Sequence, residues 1–161
     1  IWSCTTNSNL NPLILKQKMA VRLIFNTKYN AHTEPLFKKS EILPITHLCE
    51  FFKIQFMQQF IQGFLPSSFN ETWITNAIRR QDQPQIVLRN SDDINIPFAR
   101  TTNIERQPLI SFPTLWDNFP DENIKFIRNR LEFNLELKKY YLGKLSSIPN
   151  CSRILCPSCH L

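Results

Sequence analysis

Apolar residues recur with a helical period over three stretches of the chain, and this spacing predicts three long helices, at about 11–26, 45–63 and 123–142. The first should open with Asn11 as its N-cap and Pro12 in the first helical position, where a missing N–H costs nothing. Leu13, Ile14, Ala20, Val21 and Ile24 form its apolar stripe, with Lys16, Lys18 and Arg22 off it. A short helix opened by Thr33 and Glu34 should run through Lys39, and Pro44 punctuates the chain after it. In the second long helix, Leu48, Cys49, Phe52, Ile54, Phe56, Met57, Phe60, Ile61 and Phe64 cover about two-thirds of the circumference at 100° per residue. Gln55, Gln58, Gln59 and Gln62 make the remaining polar stripe, and Gly63 followed by Pro66 ends the helix. A helix so apolar belongs in a core.

Between about 67 and 110 the period is lost, which predicts a long irregular connection with room for one small hairpin near Pro84–Leu88 and Asp92–Pro97. Helical order should resume in a turn started by Pro113 that plants Trp116 in the core. The last long helix carries two nearly opposite apolar stripes. Ile124, Ile127, Leu131, Leu135 and Leu142 form one; Phe126, Phe133, Leu137 and Tyr140 form the other. Such a helix should be packed on both sides, or else lack a partner that a longer protein supplies.

Composition agrees with a mostly helical fold. Two Gly and thirteen Phe, with 42% apolar residues, favour a helical core over hairpins and exclude a disordered chain. The expected organisation is a helical module over 1–145 and a Cys-rich tail over 146–161. The chain starts at Ile1, has no signal-peptide pattern and has no apolar run long enough to cross a membrane. It reads as a piece of an intracellular protein of the cytoplasm or nucleus, with no membrane partner.

Charge changes the picture more. The net charge of +6 is carried at the two ends. Residues 1–33 hold four basic and no acidic residues, the middle to 124 is mildly acidic, and 125–161 hold seven basic against two acidic. Basic ends suit contact with RNA or DNA, and Lys16, Lys18, Arg22, Arg128, Lys138, Lys139 and Lys144 are the candidate phosphate contacts. The competing reading is ordinary solvated lysines and arginines on helix surfaces.

Catalytic chemistry is hard to find. Ser91-Asp92-Asp93 lacks the apolar flanks and the further carboxylate that a two-metal polymerase site needs, so it reads as a surface turn. His32 and His47 stand outside any Cys or Ser motif and are expected to be satisfied or exposed. Two glycines cannot build a Gly-rich phosphate loop. One dense constellation remains: Cys151, Cys156, Cys159 and His160 in ten residues, the ligand types zinc prefers, with Pro157 favouring a knuckle-like turn. Adjacent Cys159 and His160 do not easily ligate one ion together, so the fourth ligand stays open, and a cluster of plain thiols is the rival reading.

Several segments, in order, carry a resemblance. They are Gln17-Lys18-Met19-Ala20-Val21-Arg22-Leu23-Ile24, Tyr29-Asn30-Ala31-His32-Thr33-Glu34-Pro35-Leu36-Phe37, Ile42-Leu43-Pro44-Ile45, Arg100-Thr101, and Pro113-Thr114-Leu115-Trp116-Asp117-Asn118-Phe119-Pro120. With the amphipathic stretch Phe126–Leu142 and the Cys-rich end, the succession resembles the region downstream of the polymerase core in jockey-like non-LTR (LINE-type) retrotransposon reverse transcriptases. Asp117 stands where that family usually has Asn, and Ser111-Phe112 where a Gly often precedes the Pro. The resemblance implies a parent RNA-directed DNA polymerase whose Mg²⁺-binding palm and endonuclease lie upstream, outside this sequence. It carries no catalytic residue onto this chain. The expected role is to support the polymerase core of the same polyprotein and help hold template or target. The alternative is a free-standing helical interaction module with a zinc-knuckle tail; a palm and endonuclease in the upstream reading frame would separate the two.

Overall fold

The computed structural model describes residues 4–69, 72–73 and 94–145. It is mostly helical, and among the described residues no strand forms beyond a lone bridge residue at Ile94. The helices are α1 (Asn7–Ile24), α2 (Glu34–Ser40), α3 (Ile45–Ile61), α4 (Thr102–Glu105), α5 (Pro108–Asp117), α6 (Glu122–Lys125) and α7 (Arg130–Lys144), with a 3₁₀ turn at Ser67–Phe69. The chain divides into two compact units: residues up to 52 together with those from 123 on, and residues 53–122.

In the first unit, α1 begins at Asn7, four residues earlier than Asn11 and Pro12 predict. Pro12 therefore lies inside the helix, where it strands the carbonyl of Ser8, but that turn is exposed and water can take the bond. The extra turn buries Leu10. The inward side of α1 is Leu10, Ile14, Gln17, Val21 and Arg22, at i, i+4, i+7, i+11 and i+12; Leu13, Ala20 and Ile24 of the expected stripe are exposed. The helix ends on Asn26, in the left-handed region at φ 49°. There Thr27 N–H donates to the Arg22 carbonyl at 3.0 Å and Asn26 N–H to that of Leu23 at 3.1 Å, a Schellman ending.

Helix α2 has Pro35 in its first turn and buries Phe37. Its preceding residue Thr33 is also buried, and the Thr33 carbonyl accepts from Phe37 N–H at 2.9 Å. The start of α3 is closed by a side chain of α1. Gln17 Nε2 donates to the Leu43 carbonyl at 3.0 Å, and Gln17 Oε1 accepts from Ile45 N–H at 2.9 Å. One amide thus satisfies an orphan donor at a helix N-terminus and fixes the α2–α3 connection. Val21, Phe37 and Leu145 form the buried centre here, with Phe25, Leu36 and Leu142 packed around it.

The last long helix is not continuous. It breaks at 126–129, between α6 and α7, because Asn129 caps α7: its side-chain oxygen accepts from Leu131 N–H at 2.9 Å and Glu132 N–H at 3.4 Å. Packing follows one stripe. Phe133, Leu137 and Tyr141 are buried, while Leu131 and Leu135 keep 74% and 59% of their surface exposed. Ile124, before the break, is buried and Phe126 is exposed.

In the second unit, Phe56 on α3 meets Phe69, Trp73 and Phe112 edge-on at 5.5–6.0 Å between centroids. Phe60 meets Trp73 at 5.0 Å. Gln58, expected on a polar stripe, is buried beside Ile54 and Met57, whereas Phe52 is exposed. A helix apolar nearly all round does not encode which side faces in. Helix α5 starts at Pro108 and not at Pro113, so Pro113 is interior and buried together with Ile110 and Trp116. The small hairpin expected around 84–97 falls largely outside the described residues.

Candidate nucleic-acid interface

The apolar centre formed by Val21, Phe37 and Leu145 draws the last turns of α1 and α7 to α2. Each of these last turns bears cations: Arg22 on α1, Lys38 and Lys39 on α2, Lys144 on α7. Helix C-termini carry about half a negative charge, so cations there are favoured. Bringing three such ends together also concentrates basic side chains. Lys39 Nζ sits 5.4 Å from the centre of the Phe25 ring, and Lys144 Nζ 4.6 Å and 5.3 Å from those of Tyr140 and Tyr141. These ammonium groups rest on aromatic faces while Lys39 and Lys144 remain exposed. Lys38 and Lys39 were outside the sequence-derived set, and only the packing of α2 against α1 and Leu145 gives them a place.

The other candidates divide by environment. Arg22 is 8% exposed, and its Nε donates to the Ala31 carbonyl at 2.9 Å, so it fastens the α1–α2 loop. Lys16 is exposed on α1, about 9 Å along the axis before Arg22. Lys18 and Lys138 are half-buried, and Arg128 is exposed in the α6–α7 connection. Lys139 is exposed but bonded to Glu136 at 2.6 Å on the same helix. Its charge is partly offset there.

Beside Lys144 lies a titratable cluster. The rings of His47 and Tyr141 are 5.5 Å apart. Burial, and then the charge and hydrogen bond of Glu50, hold the Tyr141 hydroxyl protonated far above its usual range, with Tyr140 adding to the effect. Burial lowers the pKa of His47 from 6.5; Lys144 lowers it further, against Glu50 and Glu34. Its Nδ1 is buried with no hydrogen-bond partner, so His47 is neither satisfied nor exposed as its sequence context suggests. A neutral imidazole on α3 and a protonated phenol on α7 are thus packed ring against ring.

Among the described residues no three His, Cys, Asp or Glu side chains are placed to hold a metal. Cys151, Cys156, Cys159 and His160 lie outside the described residues, as does Ser91-Asp92-Asp93. Among the described residues no helix is long and apolar enough to cross a membrane.

No protein-family model matches the sequence, and no curated protein or solved structure matches it either.

Proposed function

We propose that the chain is a helical, nucleic-acid-contacting module of a retrotransposon-encoded RNA-directed DNA polymerase, lying downstream of the catalytic core and holding template RNA or target DNA by phosphate contacts. The observation that carries the contact is the junction of the basic last turns of α2 and α7 with the end of α1 on one apolar centre, next to an N-terminal stretch with no acidic residue. Lys39 and Lys144 are exposed cations of this junction backed by aromatic rings, and Lys16 extends it along α1. Such groups displace the counterions condensed on nucleic-acid phosphates, which gives affinity without sequence choice.

The parentage draws its support from the ordered succession of family-like segments. Mg²⁺-dependent polymerisation would belong to the upstream core, and the workplace would be cytoplasm and nucleus. The donor set Cys151, Cys156, Cys159 and His160 suits zinc: soft thiolates and an imidazole in one short segment, with Arg153 favouring the thiolate form. Metal held there would stabilise a terminal knuckle.

Two experiments test this reading. Sequencing the transcript upstream of the Ile1 codon should reveal an in-frame polymerase palm; an upstream frame without one overturns the parentage. Lys39→Gln with Lys144→Gln should weaken binding to RNA and duplex DNA alike, by a similar factor for every sequence. Unchanged affinity in that double variant would remove the junction from the interface.

A further inference from the structure

We propose that Tyr29 is a stacking platform for an unpaired base, so that the module takes single-stranded nucleic acid in preference to duplex; this rests on the nucleic-acid reading above and gives it a specific residue. Tyr29 lies in the loop between α1 and α2 with 85% of its surface exposed. Other aromatic rings are exposed too, Phe98 and Phe126 among them, but Tyr29 differs in how it is held. The Arg22 guanidinium lies over its ring, 6.0 Å from the centre. Arg22 also ties both ends of the loop. Its carbonyl accepts from Thr27 N–H at 3.0 Å, and its Nε donates to the Ala31 carbonyl at 2.9 Å. Ala31 N–H closes the turn onto the Lys28 carbonyl at 3.0 Å.

The ring is therefore displayed on a fastened loop, with a cation on one face and solvent around the rest. A base that stacks on such a ring need not order the loop, so little binding free energy is lost to conformational entropy. Lys28, the residue before Tyr29 and exposed, provides a phosphate contact beside the stacked base, and Lys39, on the Phe25 ring just past the end of α1, belongs to the same basic region. No acidic residue precedes Glu34 in the chain. Bases in a duplex already stack on their neighbours and offer no free face, whereas every unpaired base does, so the platform selects strandedness and not sequence.

The test uses the full chain and a labelled mixed-sequence oligonucleotide, single-stranded or annealed to its complement, in low salt. The unaltered chain should bind the single strand more tightly. Tyr29→Ala should weaken single-strand binding about tenfold and change duplex binding less than about twofold, whereas Tyr29→Phe should retain the affinity, since the ring and not the hydroxyl stacks. An unchanged circular dichroism spectrum and melting temperature would establish that Tyr29→Ala is folded, as expected for so exposed a side chain. Equal single-strand affinity for Tyr29→Ala and the unaltered chain overturns the platform alone and leaves the phosphate interface standing. Absence of binding to either form by the unaltered chain overturns the platform and the nucleic-acid reading together.

Discussion

Pro113 removes a donor from the interior of α5 and strands the Leu109 carbonyl, four residues earlier. Trp73 Nε1 donates to that carbonyl at 2.8 Å, so an indole from outside the helix takes the place of the missing backbone N–H. Trp73→Phe leaves the carbonyl unsatisfied and should cost about 1–3 kcal/mol of stability. Pro113→Ala restores a backbone donor, so the two changes should couple: the Trp73→Phe penalty shrinks by about 1 kcal/mol in the Pro113→Ala background. Urea unfolding of the four chains measures this, and strictly additive penalties would refute the pairing. His47 supplies a second test at this scale. Its lowered pKa means that the folded state disfavours the charged imidazole. Its contribution is intact above about 6.5 and declines as pH falls below that value. The urea midpoint should therefore drop between pH 7.5 and pH 5 by more in the unaltered chain than in His47→Gln. Equal drops would mean that His47 does not titrate in this environment.

Helix ends show what the sequence encodes locally and what it leaves to packing. Gly63, in the left-handed region at φ 72°, ends α3 with Phe64 N–H on the Gln59 carbonyl, and a glycine followed by Pro66 announces that ending in the sequence. Asn26 does the same for α1, being a residue that tolerates this backbone. Glu41 gives no such signal, yet it adopts φ 54° after α2, with Ile42 N–H on the Phe37 carbonyl at 3.2 Å. It also places an acidic residue at the negative end of the helix. Glu41→Gly should relieve both and stabilise the protein by about 1 kcal/mol, a rise of about 2–4 °C in melting temperature; a fall would mean that the Glu41 side chain contributes more than its backbone costs. The starts were harder to place. Pro12 and Pro113 both look like first-turn residues, but burial of Leu10 and of Ile110 extends each helix past its proline. The α7 cap was hidden because Asn129 sits inside an apolar period that continues on both sides of it. Gln17 was visible only as one polar residue among several; its double bond to Leu43 and Ile45 depends on a fold in which α1 lies beside the start of α3.

At the scale of the whole molecule, basic character was legible as two charged ends, but not which cations act together. Packing decides that: it sets Arg22 aside as a loop fastener, offsets Lys139 with Glu136, and draws Lys39 and Lys144 to a common centre. The terminal Cys151, Cys156, Cys159 and His160 add a separate expectation. Chain purified under reducing conditions should hold about one zinc, lost in Cys156→Ser, and a metal-free chain would leave these residues ordinary thiols. The central claim, that this module binds nucleic acid through phosphate contacts, is tested most directly by measuring affinity for a labelled RNA across a salt series. If Lys16, Lys28, Lys39 and Lys144 each neutralise a phosphate of a single strand, the logarithm of the association constant should fall against the logarithm of salt with a slope near about −2.8. It should be near about −1.4 once Lys39→Gln and Lys144→Gln are combined. A slope of zero, or binding undetectable even at the lowest salt, would contradict the account.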